Sequence, residues 1–127
     1  MLERTRYLLG CIREDPKDEG DPGRYEAAGE LEALFDHVAD DPTSGDTLVE
    51  MTAAVTEFFL AGDQSVRTAI ETGFLEHALE QPRLRPLFAH WANDDRLRRA
   101  WQLCSEWGEA HTNFMKGQRE QLPPQSI

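Results

Sequence analysis

The chain reads as all-α: a single compact bundle of five or six helices with the helix Gln64–Glu80 at its centre. Three observations predict this. Apolar residues recur every three or four positions in successive stretches. The stretches end at Pro, Gly or paired Asp residues. No β-alternation of any length lies between them. At 127 residues the chain suffices for one core and is short for two, so residues 1–127 are expected to form one all-helical domain.

The first helix is expected from Leu2 to Arg13, stopped by Asp15-Pro16. Two Pro and two Gly among charges make 15–23 a flexible acidic loop. The second helix is expected over Arg24–Ala39, with Tyr25, Ala28, Leu31, Leu34, Phe35 and Val38 as its apolar stripe. The third begins near Asp46, a suitable N-cap, and carries Leu48, Met51, Val55, Phe58 and Phe59. Gly62 ends it as a left-handed C′ residue.

Asp63 caps the fourth helix. Val66, Ala69, Ile70, Gly73, Phe74, His77 and Ala78 form one face, and Leu75 and Leu79 point the other way. Apolar residues on two sides mark a helix covered on both, hence its central place. Gly73 costs roughly 1 kcal/mol against Ala in a helix interior, which close approach of a neighbour would explain. A short helix with Leu87, Phe88 and Trp91 inward follows the Gln81–Pro86 turn. The last helix is expected from about Asp95 to Arg119. Leu97, Trp101, Cys104, Gly108, His111 and Met115 line it, widened by Leu103, Trp107 and Phe114. A frayed tail follows at about 121–127.

Charge is distributed unevenly. Residues 14–63 hold fifteen of the 24 acids and two bases, Lys17 and Arg24, a local net charge of −13 in a chain of −11. The remainder holds nine acids and eleven bases. Such a field attracts basic partners and repels nucleic acid and anionic membrane. Cys11 and Cys104 have no ligand spacing around them, which fits a reduced, cytoplasmic protein. Leu8-Leu9-Gly10-Cys11 imitates a lipoprotein cleavage box, but its apolar run is too short for export. No stretch approaches the roughly 20 apolar residues of a membrane span.

Motifs with tight spacing are missing: no glycine-rich phosphate loop, no nucleophile elbow, no His-Glu-x-x-His. His37, His77, His90 and His111 fall on four different helices, so no metal site and no cofactor is expected. All-α nucleotide pyrophosphatases pair Glu-x-x-Glu with a later Glu-x-x-Asp. Here Glu106-Trp107-Gly108-Glu109 matches only the first half. Arg96, Arg98 and Arg99, near Arg83 and Arg85, lack interleaved exposed aromatics, and internal ion pairing with the acidic half is their expected role.

Carboxylate spacing carries the functional signal. Glu26 and Glu30 stand four apart on the second helix, as do Glu32, Asp36 and Asp40. Two acidic rows thus flank the apolar stripe. Like charges at that spacing repel by a few tenths of a kcal/mol per pair. A solvated helix face is the first reading of such rows, a docking surface for a basic protein the functional one, and divalent metal binding the third. Glu76 and Glu80 repeat the spacing on the fourth helix.

The run Gly62-Asp63-Gln64-Ser65-Val66-Arg67-Thr68-Ala69-Ile70-Glu71-Thr72-Gly73-Phe74-Leu75-Glu76 resembles the central helix of small helical immunity-type proteins encoded beside bacterial polymorphic toxins. The matching elements are Gly-Asp before the helix, Val-x-x-Ala-Ile-Glu, then Phe-Leu-Glu. The similarity extends over about Thr47 to Trp107 and leaves out residues 1–45. It implies a non-enzymatic role, binding and neutralising a cognate toxin, with Glu71 and Glu76 as contributors from the matching run. Immunity proteins against nucleases are often acidic because the toxin's substrate groove is basic. The expected protein is therefore an acidic immunity protein, monomer or homodimer, that docks a basic toxin through Glu26, Glu30, Glu32, Asp36 and Asp40. The alternatives are an adaptor for another partner and a small all-α metal-dependent nucleotide hydrolase.

Overall fold

A computed structural model of the chain describes residues 1–17 and 20–106. Helix α1 spans Leu2–Glu14 and α2 spans Arg24–Ala39. Two residues close the junction between them. Asp15 takes a left-handed conformation, φ 48°, and its N–H donates to the Cys11 carbonyl at 2.9 Å. Its carboxylate accepts the Arg24 backbone N–H at 3.0 Å. The Arg24 guanidinium in turn donates to the carbonyls of Ile12 (2.7 Å) and Arg13 (3.1 Å). Each bond satisfies a backbone group that a helix end leaves without an intrahelical partner.

Helix α2 buries Ala27, Ala28, Leu31, Phe35 and Val38. Tyr25, expected in this stripe, is 56% exposed, because it sits on the first turn at the edge of the packed face. Helix α3 spans Gly45–Ala61 and buries Leu48, Met51, Thr52, Val55 and Phe59. Its N-cap is Ser44, two residues before the expected Asp46, and no side chain caps it. The Ser44 hydroxyl instead donates to the Val38 and Asp41 carbonyls at 2.7 and 2.6 Å, tying the α2–α3 turn together.

Gly62 ends α3 in an extended conformation, φ −80°, not the expected left-handed one. Its need for glycine is steric: a Cβ there would lie 2.7 Å from Val66 Cγ1 and 3.3 Å from the Phe58 carbonyl. Asp63 then caps as expected, its carboxylate accepting the Val66 N–H at 3.0 Å.

The central helix is not α-helical throughout. It comprises α4 (Gln64–Ile70), a π-helical segment (Glu71–Leu75) and α5 (Glu76–Ala78). A π turn holds one more residue than an α turn. That extra residue rotates the following register, so Phe74, Leu75, Ala78 and Leu79 are all buried, while His77 is exposed rather than on the apolar face. The helix packs against α1, α2 and α3.

The element after the Gln81–Leu84 turn is a 3-10 helix, Arg85–Asn93, with Phe88 and Trp91 buried. Rings from four elements form one chain through the core. Centroid separations are 5.1 Å for Phe59–Trp91, 5.6 Å for Trp91–Phe88, 5.6 Å for Phe88–Phe74 and 5.1 Å for Phe74–Phe35. The Trp91 indole N–H donates to the Thr56 hydroxyl at 3.0 Å, so the one polar atom of this ring is satisfied.

Asp94 caps the next segment, accepting the Arg96 N–H at 2.8 Å. A helix, α6, covers 98–106. Leu97, Ala100 and Cys104 are buried. Leu103, expected to widen the packed face, is 50% exposed. The expectations for Trp107, Gly108, Glu109, His111, Phe114, Met115 and the tail lie outside the described residues, as do Asp18 and Glu19 of the acidic loop. No helix among the described residues is long and apolar enough to cross a membrane.

Candidate functional site

The two acidic rows of α2 lie along its two seams with neighbouring elements. One row, Glu32, Asp36 and Asp40, meets the end of α5 and the turn after it. The Arg83 guanidinium bridges Asp36 and Asp40, reaching Asp40 at 2.5 Å. It also donates to the Asp36 carbonyl at 3.2 Å. Gln81 donates its side-chain amide to Glu32. The expected pairing of arginines with the acidic half is thus found at Arg83.

This seam concentrates like charge. Burial raises the Glu32 carboxyl above its ordinary value, and the neighbouring Asp36 and Glu80 raise it further against a counter-effect from His77. Glu76 is likewise raised, first by burial, with Glu71 and Glu80 adding and His77 opposing. Glu80 Oε1 is buried without a hydrogen-bond partner among the described residues. Glu80 therefore belongs to this seam. Its four-residue spacing from Glu76 was the sequence signal for it.

The other row, Glu26 and Glu30, borders α1. Arg4 stands 3.6 Å from Glu30 and 5.0 Å from the Tyr7 ring centroid. The Tyr7 hydroxyl donates to Asp21 at 2.7 Å. Glu26 makes no ion pair among the described residues and is exposed. So Glu26 and Glu30 share one edge of α2, while Glu32, Asp36 and Asp40 share the other.

Glu71 stands apart from both. It lines a cavity of about 420 Å³ with Arg67, Arg96 and Arg99, under Phe59 and Leu103. Burial raises its carboxyl, and Arg99 and Arg67 pull it back. Arg67 is itself held by the Phe59 and Leu60 carbonyls at 3.1 and 3.0 Å, where it satisfies the C-terminal end of α3. Arg96 and Arg98 pair with their neighbours Asp94 and Asp95, at 3.2 and 2.9 Å, not with the acidic half. The local carboxylates are closer in sequence and reach them first.

Sequence reasoning passed over a third group of acids. Asp46, Glu50 and Glu57 are exposed on α3 and make no ion pair among the described residues. Their spacing of four and seven was the available signal. Among the described residues no group of three His, Cys, Asp or Glu side chains is placed to hold a metal ion. Cys104 is buried, its thiol donating to the Glu71 carbonyl at 3.7 Å. Burial, with Glu71 and Glu76 nearby, pushes that thiol up to about 12.

The arrangement can do electrostatic work on an approaching cation. It presents carboxylates in rows, partly neutralised where helices meet and free at their outer edges. Comparison with protein-family models, curated proteins and solved structures finds no match for the chain.

Proposed function

We propose that the chain is a non-enzymatic acidic docking protein for a basic protein. Its partner is a cognate bacterial toxin, which makes the chain an immunity protein acting in the cytoplasm. One observation supports the reading most: α2 carries two carboxylate rows at solvent-accessible seams, within a stretch whose net charge is −13. Arg83 and Arg4 offset part of the repulsion within those rows, and a basic partner would offset the rest.

Glu26 and Glu30 steer the basic partner along one edge of α2. Glu32, Asp36 and Asp40 do so along the other, with Arg83 moderating their field. Tyr25, exposed at the head of the Glu32–Asp36–Asp40 row, supplies an apolar anchor beside the charges. Glu71 and Glu76 contribute through the field, since both are partly buried.

The test is binding to the toxin encoded beside the gene, at two salt concentrations. Charge reversal of Glu26 and Glu30 to Lys should lower the association rate by about tenfold at low salt. The effect should shrink as the Debye length falls towards about 8 Å at physiological ionic strength. Glu106→Lys, outside the rows, is the control. An association rate indifferent to both salt and the reversal would overturn the reading.

A further inference from the structure

A concavity of about 500 Å³ runs between α1 and α3. Small residues form its floor: Gly10, Ala53 and Ala54, closed at the ends by Leu2 and Phe58. A Cβ on Gly10 would meet nothing within 4 Å, so the glycine holds space open. Beside Ala53, Val49 projects 63% exposed. Gly10, Ala53 and Ala54 make a strip of small residues along the α1–α3 concavity, and Val49 faces the neighbouring groove lined by Pro86, Leu87 and His90.

The rims of the strip carry an ordered charge pattern. Arg6 and Arg13 stand on α1, Glu50 and Glu57 on α3. Both pairs are seven positions apart, about 10 Å along a helix axis. The helices run parallel at matched height, because Arg13 lies over the Phe58 ring at 5.9 Å at one end and Met1 and Thr47 line one cavity at the other. Arg6 is therefore level with Glu50, and Arg13 with Glu57. Arg6, Glu50 and Glu57 make no ion pair among the described residues, and Arg13 pairs only with its neighbour Glu14.

Among the lining residues both bases lie on one rim and both acids on the other, at equal spacing. A surface of that kind is its own complement. A two-fold axis parallel to the helices sets α1 of one copy over α3 of the other. Arg6 then meets Glu50 of the second copy, Arg13 meets Glu57, and the small floor residues let the helices approach closely. Any other two-fold arrangement of the same face opposes like charges.

We infer that the chain forms a two-fold homodimer through the α1–α3 face, with Arg6–Glu50 and Arg13–Glu57 pairs between copies around the Gly10–Ala53–Ala54 floor. The dimer leaves both acidic rows of α2 available and does not rest on the identity of a toxin partner.

A mixing experiment on the full chain tests this. One variant carries Arg6→Glu and Arg13→Glu, the other Glu50→Arg and Glu57→Arg. Each alone opposes like charges across the two-fold. Light scattering should therefore find the wild type dimeric and each variant monomeric, its self-association weakened by about a hundredfold. Mixed together, the two variants should form a heterodimer, since acid then faces base at every position. Ala53→Arg, at the exposed centre of the floor, should also give a monomer, and circular dichroism should confirm that all variants are folded. A wild type that stays monomeric up to its solubility limit overturns the dimer. So does either charge variant or Ala53→Arg remaining dimeric, or a mixture that stays monomeric. Toxin binding by a monomeric variant would leave the docking reading intact, so the two conclusions fail separately.

Discussion

Gly73 faces Ala28 so closely that a Cβ on Gly73 would lie 2.7 Å from the Ala28 Cβ. This contact lets the π segment rest on α2 and brings Phe74 to 5.1 Å from Phe35. Helix propensity alone would favour Ala at position 73 by about 1 kcal/mol. Overpacking a filled contact costs roughly 1–3 kcal/mol. Gly73→Ala should therefore lower the melting temperature. Ala28→Gly in the same chain should recover part of the loss. A stabilised Gly73→Ala protein would show that the helices can separate at no cost.

Phe74 touches both Phe35 and Phe88 and is fully buried. Phe74→Ala should cost roughly 3–5 kcal/mol, the range for deleting a buried aromatic. Chemical denaturation gives the value directly. A loss under about 1 kcal/mol would mean that the ring chain collapses around the vacancy.

Arg83 neutralises two acids at an exposed site, where an ion pair contributes only about 0.2–1 kcal/mol. Arg83→Ala should thus leave the denaturation midpoint almost unmoved. It frees the charges of Asp36 and Asp40, so it should raise the association rate with a basic partner at low salt. Asp36→Lys should do the reverse. A slower association for Arg83→Ala would argue that Arg83 itself touches the partner.

Two groups of carboxylates give stability opposite dependences on pH. Glu32, Glu71 and Glu76 have folded values raised above the ordinary 4.5. In the window above 4.5 the folded chain binds more protons than the unfolded one, so their effect on stability worsens as pH rises through it. Asp15, Asp41 and Asp94 are held below the ordinary 3.8 by hydrogen bonds from Arg24, Thr43 and Arg96. Their contribution is present above 3.8 and is lost as pH falls through their lowered values. These groups therefore place the stability maximum on the acid side of neutrality, between the ordinary 3.8 of the aspartates and 4.5 of the glutamates. Urea midpoints across pH would show it, and Glu32→Gln should flatten the decline towards pH 7. A maximum above neutrality would contradict the assignment.

Cys104 is buried with a thiol raised to about 12, and the thiolate is the reactive form. Under native conditions it should resist alkylation, with modification appearing only on unfolding. Rapid labelling of Cys104 in the folded protein, read by mass spectrometry, would place it at an accessible surface.

What the residues determined by themselves is the local periodicity and its punctuation. The bounds of α2, the Asp63 cap, the inward Phe88 and Trp91, and the buried Cys104 follow from spacing and capping chemistry, which act within a few residues. The paired acidic rows were legible for the same reason, since four-residue spacing places side chains on one helix edge. Tertiary structure decided the rest. The π segment arose because both Phe74 and Leu75 had to be buried, a demand set by neighbours on two sides. Gly62 is glycine through a clash with Val66, not through backbone handedness. Arg83 reaches acids more than forty positions away, whereas Arg96 and Arg98 are taken by adjacent Asp residues. The level pairing of Arg6 with Glu50 and Arg13 with Glu57 appears only once α1 and α3 lie parallel. Each of these depends on distances between segments, which a periodic pattern along one chain does not contain.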